Sequence, residues 1–256
     1  MNALELTVSN GVATLRINRP EKRNAMTLAM WRRLAVLAGE VAADDAVRVV
    51  VVTGGPDFCA GADIGEFGQV RGDPARGREY DGVVEEAEQA LTRLPKPTIA
   101  AVRGYCVGGG CEIALACDIR VAAADARFAI TPAKVGLVYS LTGVQRLVDT
   151  VGSAWAKQML FTGSQVDAST AERIGLVNEV VPADQVAARA FSLSDSIKRG
   201  ARTSVTGSKV LIERLLRSRA SPPGADTDAL YDKAYSGVDY AEGVAAFLEN
   251  RPPSFE

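Results

Sequence analysis

Two short segments of the sequence, residues 58–63 and 108–112, combine residues of minimal size with a nearby acidic residue. In each segment the small residues stand between an apolar run and a helical pattern, where backbone N–H groups have no partner within a helix. The small side chains let a ligand oxygen approach the main chain. Two such N–H groups meeting at one oxygen would form an oxyanion hole, which stabilises negative charge on a carbonyl oxygen.

The glycine triplet 108–110 also has other interpretations. It lacks the later glycine of the G-x-G-x-x-G motif and no G-K-[ST] follows, so a phosphate-binding loop is disfavoured. A plain tight turn remains an alternative. Glu112 follows in the first turn of the helical pattern, where the helix dipole alone favours a carboxylate. In the functional interpretation, Glu112 faces a substrate carbonyl held by the Gly109 N–H and moves a proton on a neighbouring carbon.

The sequence contains no histidine, and this decides several questions about the chemistry. Ser-His-Asp and Cys-His nucleophilic sites are excluded, because no other residue would take the nucleophile's proton in the same way. The commonest metal ligand is also missing, and the four cysteines show no C-x-x-C pair, so we expect no metal site and buried, apolar cysteines. Acid–base work therefore falls to Asp, Glu, Tyr, Lys or Cys.

Composition places the chain among globular proteins. Hydrophobic residues make up 47% and charged residues 23% of its 256 residues, enough for one large domain or a core with a small appendage. The net charge of −2 creates no basic field, so nucleic acid is not an expected partner. The first twenty residues lack the apolar segment of a signal peptide, and no run is long enough to span a membrane. We expect a cytoplasmic protein without a membrane partner.

The elements that must position these segments alternate between strands and helices. A hairpin is predicted around Asn10-Gly11, and Thr27 is a plausible N-cap of the first helix. Further strands are predicted at residues 47–52, 98–102 and 119–123, with helices at 80–94 and through 112–117. Residues 47–64 and 98–113 repeat one order: apolar strand, small residues, acidic residue, helix. This repeat indicates stacked strand-strand-helix units.

The tail changes character after about Ser192. Residues 205–216 show a helical pattern, residues 218–224 with Pro222-Pro223 form a linker, and residues 231–248 contain more helix. An all-helical appendage is therefore predicted.

Several motifs occur together and in one order along nearly the whole chain. This set resembles the enoyl-CoA hydratase/isomerase (crotonase) family. The motifs are Asn18-Arg19-Pro20, Asn24-Ala25-Met26, residues 58–64, Lys96-Pro97, Gly104-Tyr105, residues 108–112, Cys117-Asp118, Phe161-Thr162-Gly163 and residues 171–177.

The resemblance implies an α/β fold, a spiral of repeated strand-strand-helix units followed by a C-terminal helical region that builds trimers. Residues 1–192 would form the core with the acyl-CoA site, and residues 193–256 the oligomerisation region of a homotrimer or a dimer of trimers. The substrate would be an acyl-CoA thioester. No permanently bound cofactor is implied, since coenzyme A arrives as part of the substrate.

The resemblance also assigns roles to single residues. The N–H groups of Ala60 and Gly109 would hold the thioester oxygen, and Glu112 would be the catalytic carboxylate. Phe247 would lie near a neighbouring subunit's ligand, although Asn250 stands where many relatives carry lysine. The residues expected along coenzyme A are Arg23, Asn24, Ala25, Ala60, Ala62, Asp63, Ile64 and Phe247.

One departure from the family pattern limits the prediction. Typical hydratases carry a second Glu directly after Pro in an F-x-x-P-E pattern, and here Pro132 stands in the place of that acid. Ser140 stands where some isomerases carry Asp. Residues 131–139 instead resemble the methylmalonyl-CoA decarboxylase branch, in which the tyrosine matching Tyr139 lies in the active site. The alternative for Tyr139 is a partly buried tyrosine whose hydroxyl is satisfied within the fold.

Three functional hypotheses remain open, and all of them use the same acyl-CoA site. The leading prediction is an enoyl-CoA hydratase/isomerase-type lyase in which Glu112 is the general acid/base, with hydration favoured over isomerisation. The first alternative is an acyl-CoA decarboxylase in which Tyr139 helps to position the carboxylate. The second is a catalytically weak acyl-CoA-binding protein, because the second acid is missing.

Overall fold

The structure is a computed structural model, and it describes residues 3–217, 232 and 235–254. Its strands are β1 (Leu4–Ser9), β2 (Val12–Ile17), β3 (Val49–Thr53), β4 (Thr98–Val102), β5 (Tyr105–Val107), β6 (Ile119–Ala123), β7 (Arg127–Ala129), β8 (Val166–Asp167) and β9 (Glu179–Val181). Its helices are α1 (Leu28–Ala43), α2 (Phe67–Val70), α3 (Pro74–Thr92), α4 (Gly109–Leu115), α5 (Leu141–Thr162), α6 (Ala168–Arg173), α7 (Val186–Arg199), α8 (Arg202–Arg217) and α9 (Val238–Leu248).

The strands form two sheets. The larger has the order β1-β2-β3-β4-β6-β9, with β1 and β2 antiparallel and the other neighbours parallel. The predicted hairpin is confirmed: Asn10 and Gly11 both have positive φ, 49° and 76°, as a tight two-residue turn requires. Residues 49–52 of β3 and all of β4 are buried, which reflects their central position, and α7 packs against both strands. The smaller sheet has the order β5-β7-β8.

The predicted repeat is present as two stacked units. Strand β3 pairs in parallel with β4, and Cys59, in the loop after β3, forms a parallel bridge with Cys106 of β5. The two units therefore lie strand on strand, which brings the loop of residues 60–64 beside the start of α4. The contact is close, because a Cβ atom on Gly110 would lie 2.2 Å from the Cys59 carbonyl oxygen. Only glycine fits at that position.

Helix α1 begins where the sequence predicted, because the Thr27 side chain accepts a hydrogen bond from the Met30 N–H at 3.2 Å. Its buried face packs against α3. The Trp31 indole N–H donates to the Tyr80 hydroxyl at 3.2 Å, which fixes both rings at the wall of the cavity described below.

Some boundaries differ from the sequence prediction. Helix α3 starts at Pro74, because Asp73 caps it and its exposed first turn carries no apolar signal. Helix α4 already includes Gly109. Helix α5 was not predicted, and it is interrupted at Gly152, whose φ is 74°. Helix α7 runs across the division predicted at residues 192/193, and the linker predicted at 218–224 lies outside the described residues.

Among the described residues, no helix is both long and apolar enough to cross a lipid bilayer. The same part of the chain contains no group of three or more Cys, Asp or Glu residues placed to hold a metal ion. The four cysteines are buried with free thiols.

Candidate active site

An open cavity lies where the two units meet. Residues 60–64, α3, the start of α4 and residues 131–140 form its walls. Trp31 and Phe67 contribute apolar surface, whereas Arg71, Asp81 and Glu85 contribute charge. The cavity therefore combines an apolar channel with a few polar groups, as small-molecule sites generally do.

Two backbone nitrogen atoms, those of Ala62 and Gly109, lie near each other at the wall of this cavity. A Cβ atom built on Gly109 would lie 3.7 Å from the Ala62 nitrogen, and one built on Gly61 would lie 3.3 Å from the Gly109 nitrogen. Neither nitrogen donates a hydrogen bond to any described residue. Positive φ at Gly61 and Gly108, 99° and 54°, shapes the two loops. Ala62 and Gly109 are thus adjacent free donors at the cavity wall.

The structure corrects the prediction that Ala60 is a donor to the substrate. The Ala60 N–H donates to the Arg23 carbonyl oxygen at 3.0 Å and is therefore occupied. The free donor lies two residues later, at Ala62, directly after Gly61, whose φ is positive. Sequence reasoning selected the right loop and placed Ala62 along coenzyme A, but spacing alone does not tell which amide of a loop is unpaired.

Glu112 lines the cavity one helical turn after Gly109, and its side chain is almost fully buried. Burial raises the pKa of its carboxyl group well above the ordinary value, and the neighbouring Glu88 raises it further. Glu88 is also buried and forms an ion pair with Arg146 of α5, with 2.6 Å between the oxygen and the nitrogen. Glu112 is therefore suited to carry a proton near neutral pH.

Tyr139 brings its hydroxyl to the same region. A Cβ atom on Gly108 would lie 3.7 Å from this oxygen, which is buried and has no hydrogen-bond partner among the described residues. The alternative of a hydroxyl satisfied within the fold is therefore not met in the described chain. Burial, with a contribution from Glu112, raises the pKa of Tyr139 well above its ordinary value, so the hydroxyl is a neutral donor.

The second carboxylate of typical hydratases is absent at its expected place. Pro132 lines the cavity there and is buried. Ser140 caps α5 by accepting from the Gly143 N–H at 3.0 Å, so its hydroxyl has a structural role. Among the described residues that line the cavity, the acidic side chains are Asp81, Glu85 and Glu112.

A buried arginine, Arg71, also lines the cavity. The Arg71 guanidinium stacks on the rings of Tyr80 and Phe67, at 4.2 and 4.8 Å from their centroids, and pairs with Asp81 at 2.6 Å. The Tyr235 hydroxyl donates a short hydrogen bond to the same Asp81. This cluster joins the cavity wall to the C-terminal segment.

Of the residues predicted along coenzyme A, Ala60, Ala62 and Ile64 line the cavity. Arg19 pairs with Asp63 at 2.6 Å, and the Arg23 guanidinium lies 4.7 Å from the centroid of the Tyr105 ring. Asn24 is fully buried, and its amide nitrogen donates to the carbonyl oxygens of Gly54 and Asp57, so it shapes the loop from within.

The remaining members of the predicted coenzyme A set occupy two places. Ala25 is half-buried and its carbonyl oxygen accepts from Arg19, and Ile64 lines the cavity. Phe247 lies on α9 with 55% of its surface exposed and does not line the cavity of its own chain.

Sequence reasoning missed Glu88, Asp81 and Arg71. For the two acids a signal existed: Asp81 and Glu88 fall on the stripe that α3 shares with Tyr80, Val84 and Leu91, a face that the helical period predicts to be buried. Charged residues on such a stripe indicate a polar cluster in the core. Arg71 follows the short helix α2 and carried no comparable signal.

Comparison with known proteins gives one consistent result. The sequence profile described as enoyl-CoA hydratase/isomerase matches residues 7–256. The chain is similar to the short-chain-enoyl-CoA hydratase of Clostridium acetobutylicum, with 34% identity over 98% of this chain and 96% of that protein.

Solved structures show the same similarity. An enoyl-CoA hydratase/carnithine racemase from Magnetospirillum magneticum superposes with a TM-score of 0.83, 34% identity and coverage of 100% of this chain and 96% of that one. A methylmalonyl-CoA decarboxylase in complex with 2-nitronate-propionyl-CoA superposes with a TM-score of 0.89, 25% identity and coverage of 100% and 98%.

Proposed function

The chain belongs to the enoyl-CoA hydratase/isomerase family, and on that premise we propose that it binds an acyl-CoA thioester and stabilises its enolate with the N–H groups of Ala62 and Gly109. The observation that carries the proposal is the pair of adjacent, unpaired amides of two residues that line one cavity. As the thioester carbonyl takes on negative charge, two fixed donors stabilise it more than they stabilise the neutral substrate.

Glu112 is the acid/base of this proposal. It stands one turn after Gly109 on the same helix, so an acyl group whose carbonyl oxygen meets the Gly109 N–H presents its neighbouring carbons to the carboxyl. Its raised pKa suits proton transfer near neutral pH. Hydration of a 2-enoyl-CoA, as in the relatives named enoyl-CoA hydratase, is the leading activity.

Decarboxylation is the second candidate, and two observations favour it. Pro132 removes the second carboxylate that normally helps to hold a water, and the Tyr139 hydroxyl is buried and unpaired beside the Gly108 turn. Loss of carbon dioxide from a 2-carboxyacyl-CoA needs an enolate site and a proton donor, but no base for its first step. Tyr139 would then orient the substrate carboxylate.

A panel of three substrates separates these activities. Purified protein is incubated with crotonyl-CoA, a 3-enoyl-CoA and methylmalonyl-CoA, and the product masses are measured. Hydration adds one water, decarboxylation removes carbon dioxide, and isomerisation keeps the mass while the absorbance of a conjugated thioester appears. Glu112→Gln should lower turnover by about 10²–10⁴-fold while acyl-CoA binding persists. Binding without turnover of any of the three would support the catalytically weak acyl-CoA-binding protein and overturn the enzymatic proposal.

The finer expectations for coenzyme A and assembly belong to the same proposal. Arg23, Ala25, Asp63 and Ile64 would lie along coenzyme A. Ile64 lines the cavity, and Arg19 contacts both Asp63 and the Ala25 carbonyl oxygen, which ties the two loops together. Residues 193–256 would mediate a homotrimer or a dimer of trimers in the cytoplasm. Helix α8 supports this assembly, because Val210, Leu211 and Ile212 are each more than half exposed. Light scattering of the purified protein tests the trimer, and a monomeric mass would refute it.

A further inference from the structure

Behind the cavity, two carboxyl groups and one guanidinium share a buried cluster. The Glu88 and Glu112 side chains are both buried, with residue exposures of 1% and 9%. Arg146 Nη1 contacts Glu88 Oε2 at 2.6 Å. Glu112 Oε1 lies so close to Gly143 that a Cβ atom there would be 2.9 Å away, and Gly143 precedes Arg146 by one turn of α5. Both carboxyl groups thus face the same stretch of α5.

A count of charges in this cluster decides its protonation. Arginine stays charged in proteins, so Arg146 supplies one positive charge. Two ionised carboxylates would leave one negative charge buried without a partner, which is costly, and their mutual repulsion adds to that cost. The cluster should therefore hold one proton. Because Arg146 bonds to Glu88, Glu88 takes the negative charge and the proton stays on Glu112.

An unpaired atom supports the same assignment. Glu88 Oε1 is buried and has no hydrogen-bond donor among the described residues. Buried polar oxygens normally have a donor. A protonated Glu112 carries an O–H group next to Glu88 and would supply one.

The other charged groups around Glu112 do not change the count. Arg71 and Asp81 pair with each other at 2.6 Å and cancel. Glu85 on α3 adds negative charge near Glu88, which works against a second ionised carboxylate. Tyr139, which also lines the cavity, stays neutral because burial raises its pKa. No described cation contacts Glu112 directly.

We propose that Glu88 is a positioning residue: ionised against Arg146, it keeps the proton on Glu112, so that Glu112 meets the substrate as a proton donor. The inference rests on the proposed function for the identity of the substrate. When the thioester enolate collapses, its electron pair forms a C–H bond at the α-carbon with the Glu112 proton. The O–H bond breaks, the thioester carbonyl re-forms, and solvent reprotonates the Glu112 carboxylate.

Infrared spectroscopy of the unliganded protein tests the proton directly and needs no turnover. At neutral pH, the difference spectrum between wild type and Glu112→Gln should contain the carbonyl band of a protonated carboxylic acid. Glu88→Gln frees Arg146 to pair with Glu112, so this band should be lost and its titration midpoint should fall by about one pH unit or more. Glu86→Gln, an exposed change on the same helix, is the matched control and should leave the band unchanged.

Kinetics provide a second measurement. In Glu88→Gln, the limb of the kcat pH profile that reports ionisation of Glu112 should move to lower pH. KM for the acyl-CoA should change less than about twofold, because Glu88 does not line the cavity. Arg146→Met should move both this limb and the infrared titration midpoint to higher pH. This variant provides the test if Glu88→Gln does not fold.

A wild-type protein without the protonated band, or a Glu88→Gln protein that keeps the wild-type midpoint, would overturn the proposal. A protein that shows the band and its loss in Glu88→Gln, but turns over no acyl-CoA, would instead refute only the proposed function.

Discussion

Replacement of single backbone amides by esters would test which N–H groups stabilise the enolate. An ester at position 62, made by incorporating lactic acid in place of Ala62, deletes one N–H and leaves the side chain intact. Loss of one oxyanion-hole donor costs about 2.7–4 kcal/mol, so kcat should fall by about 10²–10³-fold. Folding should change little, since the Ala62 N–H bonds to no described residue.

The chain offers a matched control at Ala60. An ester also weakens the preceding carbonyl as an acceptor, and here the two positions are alike: the Gly61 oxygen accepts from Met26 at 2.7 Å, and the Cys59 oxygen accepts from Val107 at 2.9 Å. The ester at Ala60 additionally removes the hydrogen bond to the Arg23 carbonyl oxygen, which should lower the free energy of unfolding by about 1 kcal/mol. Its effect on kcat should be less than about tenfold.

The assay is kcat at saturating acyl-CoA for whichever substrate of the panel is turned over, with thermal unfolding measured in parallel. The expected order is a large loss of kcat at Ala62 and a small one at Ala60. A reversed order would show that the Ala60 N–H leaves Arg23 to reach the substrate, and the assignment to Ala62 would have to be abandoned.

Three further changes have defined outcomes. Glu112→Gln should remove activity but stabilise the folded protein at neutral pH. In the wild type the pKa of Glu112 is raised above its unfolded value near 4.5, so the free energy of unfolding falls as pH rises from 4.5 to the folded pKa. Chemical unfolding should therefore show no gain in Glu112→Gln below pH 4.5, and a gain of about 1.4 kcal/mol for each pH unit between the two pKa values. Gly110→Ala should lower the free energy of unfolding by about 3 kcal/mol or more, because its Cβ would meet the Cys59 carbonyl oxygen at 2.2 Å. The control Gly39→Ala in α1, where the glycine has open space around it, should raise the free energy of unfolding by about 0.5–1 kcal/mol. Equal effects of the two changes would contradict the close packing of Gly110. Asn24→Gly keeps a residue that tolerates positive φ but leaves the Gly54 and Asp57 carbonyl oxygens without their donor. Denaturant unfolding should show that the free energy of unfolding falls by about 2–4 kcal/mol. The control Asn10→Gly, in the exposed hairpin turn, should change it very little.

The sequence predicted the framework of the site well because its signals are local. The hairpin at Asn10-Gly11 and the cap at Thr27 each follow from a few adjacent residues, and both are confirmed. The two segments of small residues were likewise identified from composition and spacing. Their meeting is a tertiary event, however, and it depends on the bridge between Cys59 and Cys106, which joins residues 47 positions apart.

The wrong prediction at Ala60 and the missed role of Glu88 share a physical cause. Each depends on a contact with a residue that is distant in sequence. Ala60 and Ala62 look equivalent in sequence, and only the carbonyl of Arg23, placed by the positive φ at Arg23 and Asn24, occupies one of the two amides. Similarly, the place of Glu88 on the buried stripe of α3 indicates a polar cluster, but it does not show that Arg146 is the partner. Hydrogen-bond partners from distant segments are not encoded in local spacing.

The active-site groups lie on different helices and loops, and this distribution indicates which segment determines whether hydration or decarboxylation occurs. Gly109 and Glu112 stand one turn apart on α4, so the donor and the acid keep a fixed relation whatever surrounds them. Pro132 and Tyr139 lie on a separate segment between β7 and α5, and Glu88 lies on α3. Substitutions on those segments can alter which leaving group or proton the site handles without disturbing the donors on the α4 side. The test is Pro132→Glu: if the segment sets the reaction, this change should raise hydration of crotonyl-CoA relative to decarboxylation of methylmalonyl-CoA, and an unchanged ratio would place the choice on α3 or α4 instead.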